Sequence, residues 1–258
     1  MNQIFWGGLF AGGLFLGIFL MMEAGRYMRV RHQGKDIESG RAGFATLEAA
    51  LFGLMGLILA FSFSGAMSRF DARRHLIIEE ANHSGTAYFR LDLVPAQAKQ
   101  ELREEFRQYV DTRLAAYRAL PDIAKAEAGL VRATAIQREI WTKAVAAGQQ
   151  GSSPQATIIV LPALNAMFDI ANTRYLVTKI HLPQVIFWLM GALILICSLL
   201  AGYGMGASKA RNWMHIVSFA VFLAITVYTI IDLEFPRAGL IQVSSFDQAL
   251  VTVRNSMK

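Results

Sequence analysis

No stretch constrains this chain more than Phe44–Met67, FATLEAALFGLMGLILAFSFSGAM, which carries a single charge, Glu48. It is long enough to cross a hydrocarbon core about 30 Å thick as a helix. The residues after it, SRFDARRHLIIEEANHSGTAYFRLD, are dense in charge but hold no proline, and their one glycine, Gly85, does not stop a helix by itself. A spanning helix that leaves the membrane still wound is therefore expected.

Three more apolar runs meet the same criterion: Ile4–Met22, Val185–Met205 and Trp213–Ile231. With hydrophobic residues at 54% and charged residues at 17%, the chain lies below the roughly 25% charge of ordinary soluble domains, which fits a protein part embedded and part wet. The expected fold is all-α: four transmembrane helices, with a helical-bundle insert between the second and third, and the second span continuous with the insert. The expected divisions are a first transmembrane pair (1–67), the extramembrane insert (68–183), a second pair (184–233) and a C-terminal tail (234–258). The first run follows the uncharged MNQ and exceeds a signal-peptide core, so it reads as an uncleaved anchor. Its Gly8, Gly12 and Gly13 form a small-residue face suited to close helix contact, and Trp6 marks an interface.

Inside the insert, Pro95 suits the first turn of a helix on which Leu102, Phe106, Tyr109, Val110, Leu114 and Tyr117 recur at three-to-four spacing. Pro121 opens a second helix ending near Gly148, with Leu130, Ile136, Ile140 and Trp141 apolar. After a loop at Gln149–Ser153, Ser153 and Pro154 read as N-cap and first residue of a third helix, running to about His181 and bent by Pro162. The tail ends in a short amphipathic segment.

Orientation is set by the short links. Arg26, Arg29, Arg31, Lys35 and Arg41 occupy one, Lys209 and Arg211 the other, so the positive-inside rule places both in the cytoplasm and the insert on the periplasmic side of a bacterial inner membrane. The net charge of +6 is spread rather than blocked, and no nucleic-acid motif accompanies it, so nucleic acid is not an expected partner. The single cysteine, Cys197, excludes an internal disulfide and reads as a packing residue. There is no Gly-x-Ser-x-Gly, Walker loop, dinucleotide fingerprint or His-Glu-x-x-His, so neither an enzyme nor a cofactor is expected.

Three sets of residues on the second helix carry chemistry. Glu48 is an acid within a span, a functional candidate by its cost there. It shares one face with Phe52, Met55, Leu59, Ser62 and Phe63, which can line a passage; Ala49, Gly53, Gly56, Ala60 and Ser64 make a neighbouring small face suited to helix packing. Arg69, Arg73 and Arg74 can hold lipid headgroups or other anions, which makes membrane lipids a partner. His75, Glu79 and His83 stand at i, i+4 and i+8 and can reach a metal, although the paired Glu-x-x-His motif of a di-iron bundle is absent and surface ion pairing explains them as well.

The runs LAFSFSGAMSRFDARRHLIIEEANHSGTAYFRLDLVP and IIDLEFPRAGLIQVS, in this order around a helical insert, resemble the bacterial bestrophin-like-domain proteins, a family of unknown function distantly similar to bestrophins. That resemblance implies a homo-oligomer, a pentamer if the likeness to bestrophin anion channels holds, with Phe44–Arg74 as the pore helix. It also implies a cytoplasmic insert, opposite to the charge rule. Two functions are thus expected: an anion channel with the second span around its axis, or a non-conducting scaffold or sensor whose insert binds a partner or ligand.

Overall fold

The computed structural model describes residues 2–31, 41–120, 122–150, 154–206, 213–237 and 239–257. Among them there is no strand. The helices are α1 (Asn2–Arg31), α2 (Arg41–Arg90), α3 (Ala96–Arg118), α4 (Ile123–Gln150), α5 (Pro154–Val177), α6 (Gln184–Met205), α7 (Trp213–Glu234) and α8 (Gln248–Ser256). Short 3-10 turns at Leu91–Leu93 and Ser244–Asp247 come after α2 and before α8. The all-α expectation holds, and α2 runs unbroken for 50 residues through Gly85. Pro121, Ser153 and the links 32–40 and 207–212 lie outside the described residues, and with them the expected turns and much of the orientation argument.

Among the described residues five helices, not the expected four, are long and apolar enough to cross a membrane: α1, α2, α5, α6 and α7. The additional one is α5. Its Val160, Ala163, Leu164 and Met167 belong to a core shared with α3 and α4, while Ile158, Ile159 and Leu176 stay exposed, so the helix is apolar on its open side as well as on its buried one.

The chain forms two compact units. An apolar unit comprises Asn2–Arg69 and His181–Phe235, and a polar unit comprises Phe70–Ile180 and Pro236–Lys258, so the tail joins the insert rather than standing apart.

In the apolar unit, α1 packs on α6 and α7. The helices approach backbone to backbone where glycine allows it: a Cβ on Gly25 would lie 2.0 Å from the Leu199 carbonyl oxygen, and one on Gly202 2.0 Å from that of Met22. Gly8, Gly12 and Gly13, expected to make such a contact, have nothing within 4 Å. The side of α1 turned to its neighbours instead carries Ala11, Leu14, Ile18, Met22 and Gly25, with α1 still helical to Arg31.

The polar unit is held by side chains. Leu102, Phe106, Tyr109, Val110, Leu114 and Tyr117 of α3 are all buried, as the spacing predicts, against Ile136 and Ile140 of α4 and Val160, Leu164 and Met167 of α5. Each full burial of this kind stabilises by about 1.5–3 kcal/mol. Tyr88, Phe106 and Tyr109 meet edge to face, with centroids 5.6 and 6.3 Å apart. Leu250 and Met257 bring the C-terminal stretch into the same core.

Candidate functional site

Helix α2 has two unlike sides. At about 100° per residue, Met55, Ser62, Ala66, Phe70, Arg73, Ile77, Glu80, Ser84 and Ala87 fall on one side, and all are buried. Ala49, Gly53, Gly56, Leu57, Ala60, Phe61, Ser64, Ser68, His75, Glu79, Asn82 and Thr86 fall on the other, and all are exposed. The open positions recur at the helical period itself, so they stay on one side along the helix.

Within a single chain the two expected faces of the spanning part differ in exposure. Of the set Glu48, Phe52, Met55, Leu59, Ser62 and Phe63, Met55 and Ser62 are buried, Glu48, Phe52 and Leu59 are half-buried, and only Phe63 is exposed. Phe52 meets Phe219 of α7 edge to face at 6.4 Å, and Glu48 lies close to Gly204 of α6. The small set Ala49, Gly53, Gly56, Ala60 and Ser64 is exposed, and among the described residues a Cβ on Gly53 or Gly56 would meet nothing within 4 Å.

In the apolar unit, α2 is fastened at Arg69. Its Nε donates to Glu234 Oε1 at 2.7 Å, while Glu234 Oε2 accepts from the Leu182 backbone N–H and faces His181 Nδ1 at 3.6 Å. His181 also lies against the Phe235 ring, 4.8 Å between centroids. A carboxylate only 1% exposed thereby accepts from Arg69 and from the Leu182 N–H, with the His181 ring alongside. Arg69 is thus paired with Glu234 while its side chain stays 24% exposed.

In the polar unit, α2 is fastened at Glu80, which is 1% exposed. Arg113 of α3 donates to it at 2.8 Å, Arg174 of α5 pairs with its other oxygen, and Tyr117 donates its hydroxyl at 3.1 Å. Arg174 reaches further, to Asp247 at 2.7 Å, and Asp247 also receives a two-point bond from Arg237 at 2.7 and 2.9 Å. The Arg174 guanidinium lies 3.6 Å from the Tyr117 ring centroid. Buried charges survive only when paired and hydrogen-bonded, and here each is. Burial pushes the Asp247 carboxyl up, but Arg237 and Arg174 more than offset it and hold it below its ordinary value. Burial raises the Tyr109 phenol to about 12, so it stays a neutral partner for Gln137.

Arg73 is buried and donates to the Ile180 carbonyl at 2.8 Å. Arg74 donates to Asp71 at 3.0 Å and lies over Phe246 at 4.4 Å. His75, Glu79 and His83 stay together on the open side, and among the described residues no three His, Cys, Asp or Glu groups of one chain converge as a metal site.

Sequence reasoning did not find the Glu80 network. The signal was present. Arg113 stands seven and four residues after Phe106 and Tyr109, and Arg174 continues the series Val160, Ala163, Met167, Ala171; a charge at the apolar spacing of an amphipathic helix marks a buried pair.

The arrangement matches known proteins. A family model described as a bestrophin-like domain matches residues 44–246. Crystal structures of two single-residue variants of a bacterial bestrophin homologue from Klebsiella pneumoniae superpose with TM-scores of 0.67 and 0.66 at 12% and 13% identity. The first covers 99% of this chain and 96% of that one, the second 94% and 98%. A further crystal structure, of a membrane protein variant, gives 0.62 at 14% identity, covering 99% of this chain and 100% of the other. No curated protein matches at a significant level.

Proposed function

The chain belongs to the bestrophin-like domain family, and on that premise we propose that it is an oligomeric ion channel in which α2 of each copy surrounds the axis with its open side inward. Family membership by itself makes it a multi-pass membrane protein of the bestrophin channel family.

The observation that carries the proposal is the side of α2 that is exposed among the described residues. Lipid could cover the apolar part of that side, but it continues at the same helical phase through Ser64, Ser68 and His75, residues suited to water. A water-filled axis accommodates both parts. In the spanning part Gly53, Gly56 and Ala60 leave width, and Leu57 and Phe61, 51% and 69% exposed, supply a hydrophobic constriction of the kind that gates by dewetting. Glu48 sits behind this face, beside Gly204, rather than on it. The preference for anions rests on bestrophins.

Purified protein in liposomes tests the reading. Ion flux is expected, rising when Phe61→Ala widens the constriction. A small thiol reagent should block flux through Ser64→Cys and spare Ser62→Cys. Absent flux, or block at Ser62→Cys alone, overturns the assignment; a reversal potential set by cations overturns only the anion preference.

The bareness of Gly53 and Gly56 favours a second reading. Copies of α2 can close tightly on small residues, leaving a scaffold whose polar unit binds a partner. An intact oligomer in which Ser64→Cys resists labelling and no ions pass supports that alternative.

In both readings α1, the first part of α2, α6 and α7 cross the membrane, and α5 stays in the aqueous bundle with α3 and α4. By the positive-inside rule the polar unit faces the periplasm of a bacterial inner membrane. An impermeant thiol reagent that fails to label Asn172→Cys in intact cells would reverse that orientation.

A further inference from the structure

The open side of α2 carries three metal-ligating side chains that conduction does not need. His75, Glu79 and His83 are exposed and succeed one another at intervals of one turn. Residues four apart on a helix have Cβ atoms about 5–6 Å apart, close enough for both side chains to ligate one ion at about 2.0–2.2 Å. One chain therefore offers two overlapping pairs, His75 with Glu79 and Glu79 with His83. It does not offer a third ligand, since no group of three converges within the described residues.

A pair of ligands on one helix is half of a tetrahedral site, and the missing half must come from elsewhere. Two observations say where. At about 100° per residue, His75 lies directly in line with Leu57, on the side that the channel reading turns toward the other copies, and Glu79 and His83 step progressively round toward its edge. The neighbour Glu80, by contrast, is buried and neutralised by Arg113 and Arg174, so the local carboxylate left for a ligand is Glu79.

We propose that His75, Glu79 and His83 of adjoining copies complete sites for a divalent transition-metal ion of the zinc type at the aqueous end of the passage. The inference rests on α2 facing the axis, and deepens that reading by naming a ligand that regulates flow. Imidazole nitrogen with a single carboxylate suits zinc and its neighbours; calcium and magnesium require a shell of oxygens that these residues do not supply. Each bound ion adds positive charge and bulk beside the axis, and flux changes with occupancy.

The test uses the purified full-length oligomer with zinc alone as the probe. Bound zinc per chain is measured after gel filtration, and liposome flux is measured with and without zinc. The wild type should retain zinc and lose flux several-fold. The double variant His75→Ala, His83→Ala should elute at the same volume, retain no zinc above buffer and conduct without regard to it. Glu79→Gln should weaken binding by an intermediate amount. Equal zinc retention in wild type and double variant overturns the site. Zinc retention that depends on the two histidines, in a protein that never conducts, leaves the site standing and removes the channel reading. Flux that zinc does not alter in a wild type that conducts removes the regulatory role.

Discussion

The two units hold helices together with opposite materials. In the polar unit, large rings interlock and three arginines gather around Glu80 and Asp247. In the apolar unit, α1 and α6 touch at Gly25 and Gly202, where no side chain intervenes. In the proposed arrangement the difference comes from the solvent. Taking Phe106 or Tyr109 out of water is favourable in itself, whereas lipid tails are as apolar as leucine, so helices in a bilayer gain mainly from close fit.

That contrast can be broken at several points. The severest is Gly202→Leu, whose first carbon would already overlap the Met22 backbone; folded, monodisperse protein in detergent should be lost, while Gly12→Leu, where a Cβ would meet nothing within 4 Å among the described residues, should elute normally. If both variants behave alike, backbone contact is not what holds the apolar unit.

Next comes Glu80→Ala, which leaves Arg113 and Arg174 buried with one carboxylate fewer. Removing one partner of a buried pair costs about 3–5 kcal/mol, read as a fall in the melting temperature of the polar unit. A neutral outcome would mean the rings alone suffice.

The effect of acid is smaller. Asp247 is held below its ordinary value, so its contribution is present above the unfolded value of about 3.9 and is lost as pH falls through the lower folded value. Thermal stability should drop in that range below about pH 4, and Asp247→Asn, less stable at neutral pH, should show a shallower drop. Smallest is Arg254→Ala, which removes an exposed two-point pair with Asp111; a loss under about 1 kcal/mol is expected, and a larger one would place surface charge among the main supports.

Much of this architecture was legible in the sequence because apolar spacing reports burial directly. The α3 positions from Leu102 to Tyr117 needed only a period, and they are buried as the period says. The sides of α2 were harder. Residue type distinguished a small face from a larger one, but which face meets α6 and α7 depends on where those helices lie, and Gly53 reads the same in a seam as on a bare surface. The same held in α1, where contact fell to Gly25 rather than Gly8, Gly12 and Gly13. Composition does not separate α5 from the four expected spans, because it measures how apolar a helix is and not whether its surroundings are lipid or protein. The ion network required pairing charges that lie 33, 94 and 73 residues apart, which no local pattern contains.

The reach from Arg174 to Asp247 also sets an order of events during synthesis. When α5 leaves the ribosome, Arg174 can meet Glu80 at once, but its second carboxylate is still 73 residues away, and Arg237 precedes that same partner by ten. Until the stretch holding Asp247, Leu250 and Met257 arrives, the bundle keeps an excess of buried positive charge and an uncovered core. A nascent chain halted before that point therefore carries its own mark of incompleteness, legible to any quality-control factor that seeks apolar surface beside unpaired arginine.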